Sequence, residues 1–124
     1  VLIYPHIQVA QQVLHTRIET IPMGYILIDG ERKSSVEIAT NCTPIPQNDV
    51  QKIVSMAIAG QLLGKSLIYL EAGSGAHTPV SPDIIRAVRA QLQLPLIVVI
   101  GNHFEQYPDE ISDFVRIKQD NYGE

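Results

Sequence analysis

Apolar and polar positions along the chain fall into blocks whose period changes. Val1 to Tyr4 is wholly apolar and predicts a short strand stopped by Pro5. From His6 to about Thr16, Ile7, Val9, Ala10, Val13 and Leu14 group loosely on one side of a helix. Met23 to Asp29, MGYILID, predicts a buried strand that delivers an aspartate at its carboxyl end. Glu31 to Gln47 is polar and ends in TPIP, which predicts a long surface excursion in which Val36 and Ile38 could form a short strand. Asn48 is the expected N-cap of the next helix, with Gln51 at its third position as in a capping box. Val50, Ile53, Val54, Ala57, Ile58 and Leu62 repeat at helical spacing, and Gly64 supplies the stop. Ser66 to Glu71 reads as a strand. Ser81 followed by Pro82 opens a helix with Ile84, Ile85, Val88 and Leu92 on its apolar face. Pro95 to Ile100 predicts a further strand, ending at Gly101 and Asn102. Pro108 to about Lys118 predicts a last helix, aligning Ile111, Phe114, Val115 and Lys118.

Fully apolar strands alternating with helices imply right-handed βαβ units and a parallel sheet, hence an α/β fold. Polar and glycine-rich residues collect at the carboxyl ends of the strands: Asp29, Glu71 with its loop, and Gly101–Asn102. In open sheets and in (β/α) barrels alike, ligands bind at that edge.

The richest chemistry lies in IYLEAGSGA, Ile68 to Ala76. Tyr69 and Glu71 are two residues apart, so an extended strand points both side chains to one face. Gly73 and Gly75 in the small-residue loop let backbone N–H groups approach an anion closely. A carboxylate and a phenol beside such a loop can grip a polyol phosphate, with oxygen acceptors for the hydroxyls and amides for the phosphate. The plainer alternative is a tight turn after a buried strand, with Glu71 solvated at its edge. Asp29 serves equally as a site residue or a structural cap. Ser34 and Ser35 have no base partner in the pattern, and Cys42 reads as an incidental loop or packing residue.

The 124 residues suffice for one modest domain, and 45% hydrophobic with 18% charged residues fits a globular core. A net charge of −4, with nine scattered basic residues, argues against a nucleic-acid partner. Cys42 is the single cysteine, which excludes an internal disulfide and suits a reducing compartment. His6, His15, His77 and His103 are too dispersed for a zinc motif. No apolar run approaches the about 20 residues of a transmembrane helix, and VLIYP lacks the basic flank of a secretory signal. A soluble, cytoplasmic protein is expected.

At YLEAGSGA and the upstream IPMGYILIDG, the chain resembles the geranylgeranylglyceryl phosphate synthases and related heptaprenylglyceryl phosphate synthases. SSVEIATNCTPIP, the helix ending AGQLLG, SPDIIRAVRAQLQLPLIV and the later VIGN carry the same resemblance. It implies a TIM-barrel prenyltransferase that joins a prenyl diphosphate to sn-glycerol 1-phosphate with Mg²⁺ assistance, releasing pyrophosphate. By that resemblance Tyr69, Leu70, Glu71, Ala72, Gly73, Ser74 and Gly75 form the glycerol-phosphate motif. Glu71 would hold, and help deprotonate, the attacking hydroxyl, while Gly101 and Asn102 would hold the phosphate. The resemblance also implies a homo-oligomer, and the place of Tyr25 in its strand suggests that it lines the prenyl groove.

The chain departs from the family pattern in three places. The first strand, with its Mg²⁺-binding aspartate, has no counterpart, so no metal ligand is assigned. VLIYP resembles the second strand, yet His6 begins a helix that belongs further along. Val98 passes directly into VIGN without the expected glycine-rich turn and helix. The fold is therefore expected to be a parallel (β/α) TIM-barrel type with an incomplete set of βα units, residues 1–124 forming one domain. Omissions are expected near residues 5/6, near 98/99 and before residue 1. Two other readings stay open: a non-catalytic, phosphate-binding or oligomer-forming partial barrel, and another phosphosugar-binding TIM-barrel enzyme.

Overall fold

A computed structural model describes residues 3–31, 38, 42–72, 76–99 and 115–117. Its elements are α1 (Ile3–Thr16), β1 (Met23–Leu27), α2 (Val50–Leu62), β2 (Leu67–Glu71), α3 (Pro82–Gln91), β3 (Leu96–Val99) and β4 (Val115–Ile117). All four strands are parallel and lie side by side in chain order, β1-β2-β3-β4. Sequential order without a reversal is what successive βα units of a barrel produce, whereas a doubly wound sheet turns back at a switch point.

Strand alternation divides the sheet into two faces. Ile26, Ile68, Leu70, Leu96 and Val98 join Ile53, Val54 and Ala57 of α2 and Ile84, Ile85 and Val88 of α3 in one buried cluster. The opposite face carries Tyr25, Tyr69 and Ile97 in one row of paired positions, with Leu27, Glu71 and Val99 in the next. In a closed barrel that second face is the interior. Close packing on the helical side depends on two missing side chains. A Cβ at Gly24 would stand 2.7 Å from Ile68 Cδ1, and one at Gly60 would stand 2.8 Å from the same atom. The Ile68 side-chain tip thus lies between strand and helix, where alanine on either side would make it shift.

Caps fix the two core helices. Asp49, rather than Asn48, is the N-cap of α2: its Oδ1 accepts the Lys52 N–H at 3.3 Å. The predicted boundary is thus corrected by one residue, because either side chain can cap and backbone geometry selects between them. At the other end Gly64 adopts φ +85°, its N–H donating to Gln61 O while Lys65 N–H donates to Gly60 O. These are the two hydrogen bonds of a Schellman motif, as the glycine implied. Ser81 caps α3 through the Asp83 N–H, with Pro82 in the first turn.

Three other expectations change. Ile3 and Tyr4 belong to α1 rather than to a strand ended by Pro5. Proline is tolerated there because the first-turn N–H groups have no intrahelical acceptor to lose. Residues 115–117 form a strand on the free edge of β3, not part of a helix. Pairing there satisfies the edge N–H and C=O groups of β3, a gain that local periodicity does not report. Ile38 is helical and exposed rather than extended, and Val36 lies outside the described residues. The polar excursion does return to the core at Ile45, which is buried and bridges Ile28.

Candidate functional site at the carboxyl edge

β1 and β2 run in register, with Tyr25 opposite Tyr69 and Leu27 opposite Glu71. Neighbouring parallel strands therefore place two phenol rings side by side on the same face. The rings stack with centroids 5.1 Å apart and planes 18° from parallel. The Tyr25 hydroxyl reaches two residues further along β2 than its register partner and donates a hydrogen bond to Glu71 Oε2. Glu71 is 7% exposed, the one charged residue among the buried described residues, so that hydrogen bond replaces water its carboxylate has lost.

Burial raises the Tyr25 phenol strongly, and donation to Glu71 and the negative charge of that carboxylate raise it further. Tyr69 is raised too, again first by burial and then by the charge of Glu71. Both phenols are consequently neutral at physiological pH, and Tyr25 remains a donor. The arrangement offers a carboxylate with one oxygen held by a phenol, at the carboxyl end of β2. Such a group can accept a hydrogen bond from a substrate hydroxyl and take its proton.

The loops around this edge are braced. The Gln47 side chain donates to the carbonyls of Asp29 (3.1 Å) and Pro79 (2.8 Å) and accepts the Ser81 N–H (3.0 Å). Gly30 packs against Ala72: a Cβ there would lie 2.4 Å from Ala72 O, and the Gly30 carbonyl accepts the N–H groups of His77 and Thr78. Asp29 Oδ1 accepts the Glu31 N–H at 2.9 Å, the local cap that was one of its two expected roles.

Of the residues singled out in the sequence, the structure brings Tyr69 and Glu71 onto one face as the two-residue spacing implied. Leu70 points the other way and is fully buried in the core, so its side chain is not part of this cluster. Ala72 is buried directly after Glu71. Gly73, Ser74, Gly75, Gly101 and Asn102 lie outside the described residues. Sequence reasoning did not find the Tyr25–Glu71 contact. The signal available for it was that MGYIL and LIYLE each carry tyrosine at the third position, which an in-register parallel pair sets side by side. Gln47 gave no comparable signal.

A parallel, sequentially ordered sheet with a buried carboxylate and two tyrosines at its carboxyl edge is a candidate ligand site on a fold of the (β/α)-barrel class. The PcrB family pattern matches residues 2–110, and the chain belongs to that family. It is 45% identical over 97 residues to a geranylgeranylglyceryl phosphate synthase of Zunongwangia profunda, covering 78% of this chain and 42% of that protein. With the enzyme of the same name from Thermococcus kodakarensis it shares 42% identity over 97 residues, 78% of this chain and 38% of the relative. Its backbone is similar to the crystal structure of (S)-3-O-geranylgeranylglyceryl phosphate synthase from Thermoplasma acidophilum in complex with sn-glycerol-1-phosphate. That similarity has a TM-score of 0.69 at 33% identity and covers 75% of this chain and 37% of the other. The fold is thus of the TIM-barrel type expected from the sequence, represented by part of its βα units. The matched segments span less than half the length of these relatives.

Proposed function

We propose that the protein is a prenyltransferase that joins a prenyl diphosphate, geranylgeranyl or similar, to sn-glycerol 1-phosphate. The observation that carries this reading is Glu71, buried at the end of β2 and held by Tyr25, in a chain related to enzymes of that name. In the proposed reaction a glycerol hydroxyl oxygen attacks the first carbon of the prenyl chain. The bond from that carbon to the diphosphate oxygen breaks, the diphosphate leaves with the electron pair, and the hydroxyl proton passes to Glu71. Tyr69 helps position the polyol, and backbone amides of Ala72, Gly73, Ser74 and Gly75, with Gly101 and Asn102, cradle the phosphate.

Mg²⁺ is part of this proposal for the whole protein. Among the described residues no three His, Cys, Asp or Glu side chains gather as a metal site. These residues do not fit the ion, and no step above runs through it. No helix among the described residues is long and apolar enough to cross a membrane. A cytoplasmic location and a homo-oligomeric state complete the proposal, the second supported by the apolar side chains of α1 that stand exposed.

The test is incubation of the purified protein with sn-glycerol 1-phosphate, geranylgeranyl diphosphate and Mg²⁺, following pyrophosphate release and the ether product. Transfer that disappears in E71A is the expected result. Binding of glycerol 1-phosphate without transfer would instead identify a binding protein built on a partial barrel. Turnover of a sugar phosphate without any prenyl diphosphate would identify a different phosphosugar enzyme.

A further inference from the structure

We propose that Tyr25 is a positioning residue that acts through Glu71: its hydroxyl, bonded to Oε2, sets the orientation in which the carboxylate meets the glycerol hydroxyl. The inference deepens the proposed function and rests on it. Four observations support it. Tyr25 donates to Oε2 specifically, and the contact joins two strands across 46 positions of sequence. The Tyr25 ring stacks on Tyr69 in the adjacent strand. In-register pairing of β1 with β2 fixes the relative height of ring and carboxylate. Glu71 itself is buried, so its rotamer is set by protein partners more than by solvent.

A glutamate side chain has three rotatable bonds, and a base must present a defined lone pair to the proton it takes. Donation to one oxygen removes that freedom while leaving the carboxylate charge intact. Lining the prenyl groove, the role that its place in the strand suggested for Tyr25, makes a different demand. A groove wall needs the ring and has no use for the hydroxyl. Phenylalanine separates the two roles, because it keeps the ring and its stacking and deletes one oxygen.

Steady-state kinetics of the intact protein, varying each substrate in turn, compares wild type with Y25F. The positioning role predicts a KM for sn-glycerol 1-phosphate raised roughly tenfold, as expected for loss of a hydrogen bond to a charged group. The KM for prenyl diphosphate should stay within about twofold. A change confined to the prenyl diphosphate KM, or no change in either, overturns the proposal. Calorimetric titration with glycerol 1-phosphate then closes a cycle of wild type, Y25F, E71A and the double variant. Y25F should cost roughly tenfold with Glu71 present and within about twofold when Glu71 is already alanine. Equal losses in both backgrounds mean that Tyr25 does not act through Glu71. Should wild type neither bind nor turn over glycerol 1-phosphate, the proposed function fails on its own. Urea unfolding of the same four proteins then decides the contact: non-additive losses support Tyr25 as the anchor of Glu71, and additive losses overturn it.

Discussion

Tyr25 and Glu71 meet across two strands through a single hydrogen bond, and most of the chemistry assigned to this chain depends on that pair. A base positioned against its substrate typically contributes about 10²–10⁴-fold in rate. E71A is therefore expected to lower kcat for prenyl transfer by roughly that factor, with the fold intact by circular dichroism. Retention of full kcat in a folded E71A would remove Glu71 from catalysis. The raised phenol of Tyr25 has a second consequence, for stability against pH. The folded state keeps a proton that the unfolded chain releases near the ordinary tyrosine value of about 10. Folding stability is insensitive to this group below that pH and falls as pH rises above it, toward the raised folded value. Urea unfolding at about pH 8 and about pH 11 should show a larger alkaline loss for wild type than for Y25F. Equal losses would mean that Tyr25 titrates alike in both states.

At the scale of elements, each packed helix is delimited by a feature whose removal has a defined effect. Gly64 holds φ +85° with open space around its Cβ position, so Gly64→Ala adds backbone strain and no clash. A loss of about 1 kcal/mol is expected from urea denaturation, the scale of a left-handed conformation for an L-residue. Ser81→Ala removes the acceptor for the Asp83 N–H and should also cost about 1 kcal/mol. No measurable change for either would mean that the cap does not hold its helix in solution. Gly30 couples two loops. An added methyl meets the backbone oxygen of Ala72, which cannot swing aside as a flexible side-chain tip would. Gly30→Ala should therefore displace Ala72 beside Glu71 and weaken glycerol 1-phosphate binding as well as folding. Lost stability with unchanged affinity would show that the site tolerates the shift.

For the whole molecule, parallel order and register matter more than any one strand. Four adjacent parallel strands, helices on one face and a tyrosine–carboxylate row on the other reproduce part of a barrel wall. α1 does not share in that packing: Ile7 and Leu14 are 64% and 74% exposed. Apolar faces of this kind are normally covered by further chain or by another subunit. Intact-mass spectrometry and light scattering on the purified protein test both forms of cover. A covalent mass above 13.7 kDa or a mass of more than one protomer in solution is expected. A monodisperse monomer of 13.7 kDa would mean that α1 stays bare, and would favour the partial-barrel reading over the enzyme.

Sequence alone determined the parts of this protein written in local physics. Helical periodicity with Gly64 and Ser81–Pro82 marked α2 and α3, apolar runs marked β1 to β3, and their alternation required a parallel sheet. The two-residue spacing put Tyr69 and Glu71 on one face near the carboxyl edge of the sheet. Tertiary structure decided what depends on partners distant in the chain. Pro5 sits in a helix because a first turn loses no hydrogen bond to it, and residues 115–117 extend because the edge of β3 offers backbone partners. Gln47 gained its role only when three chain segments converged on one amide. Tyr25 became the partner of Glu71 through register, and register is a property of two strands together that neither sequence segment encodes by itself.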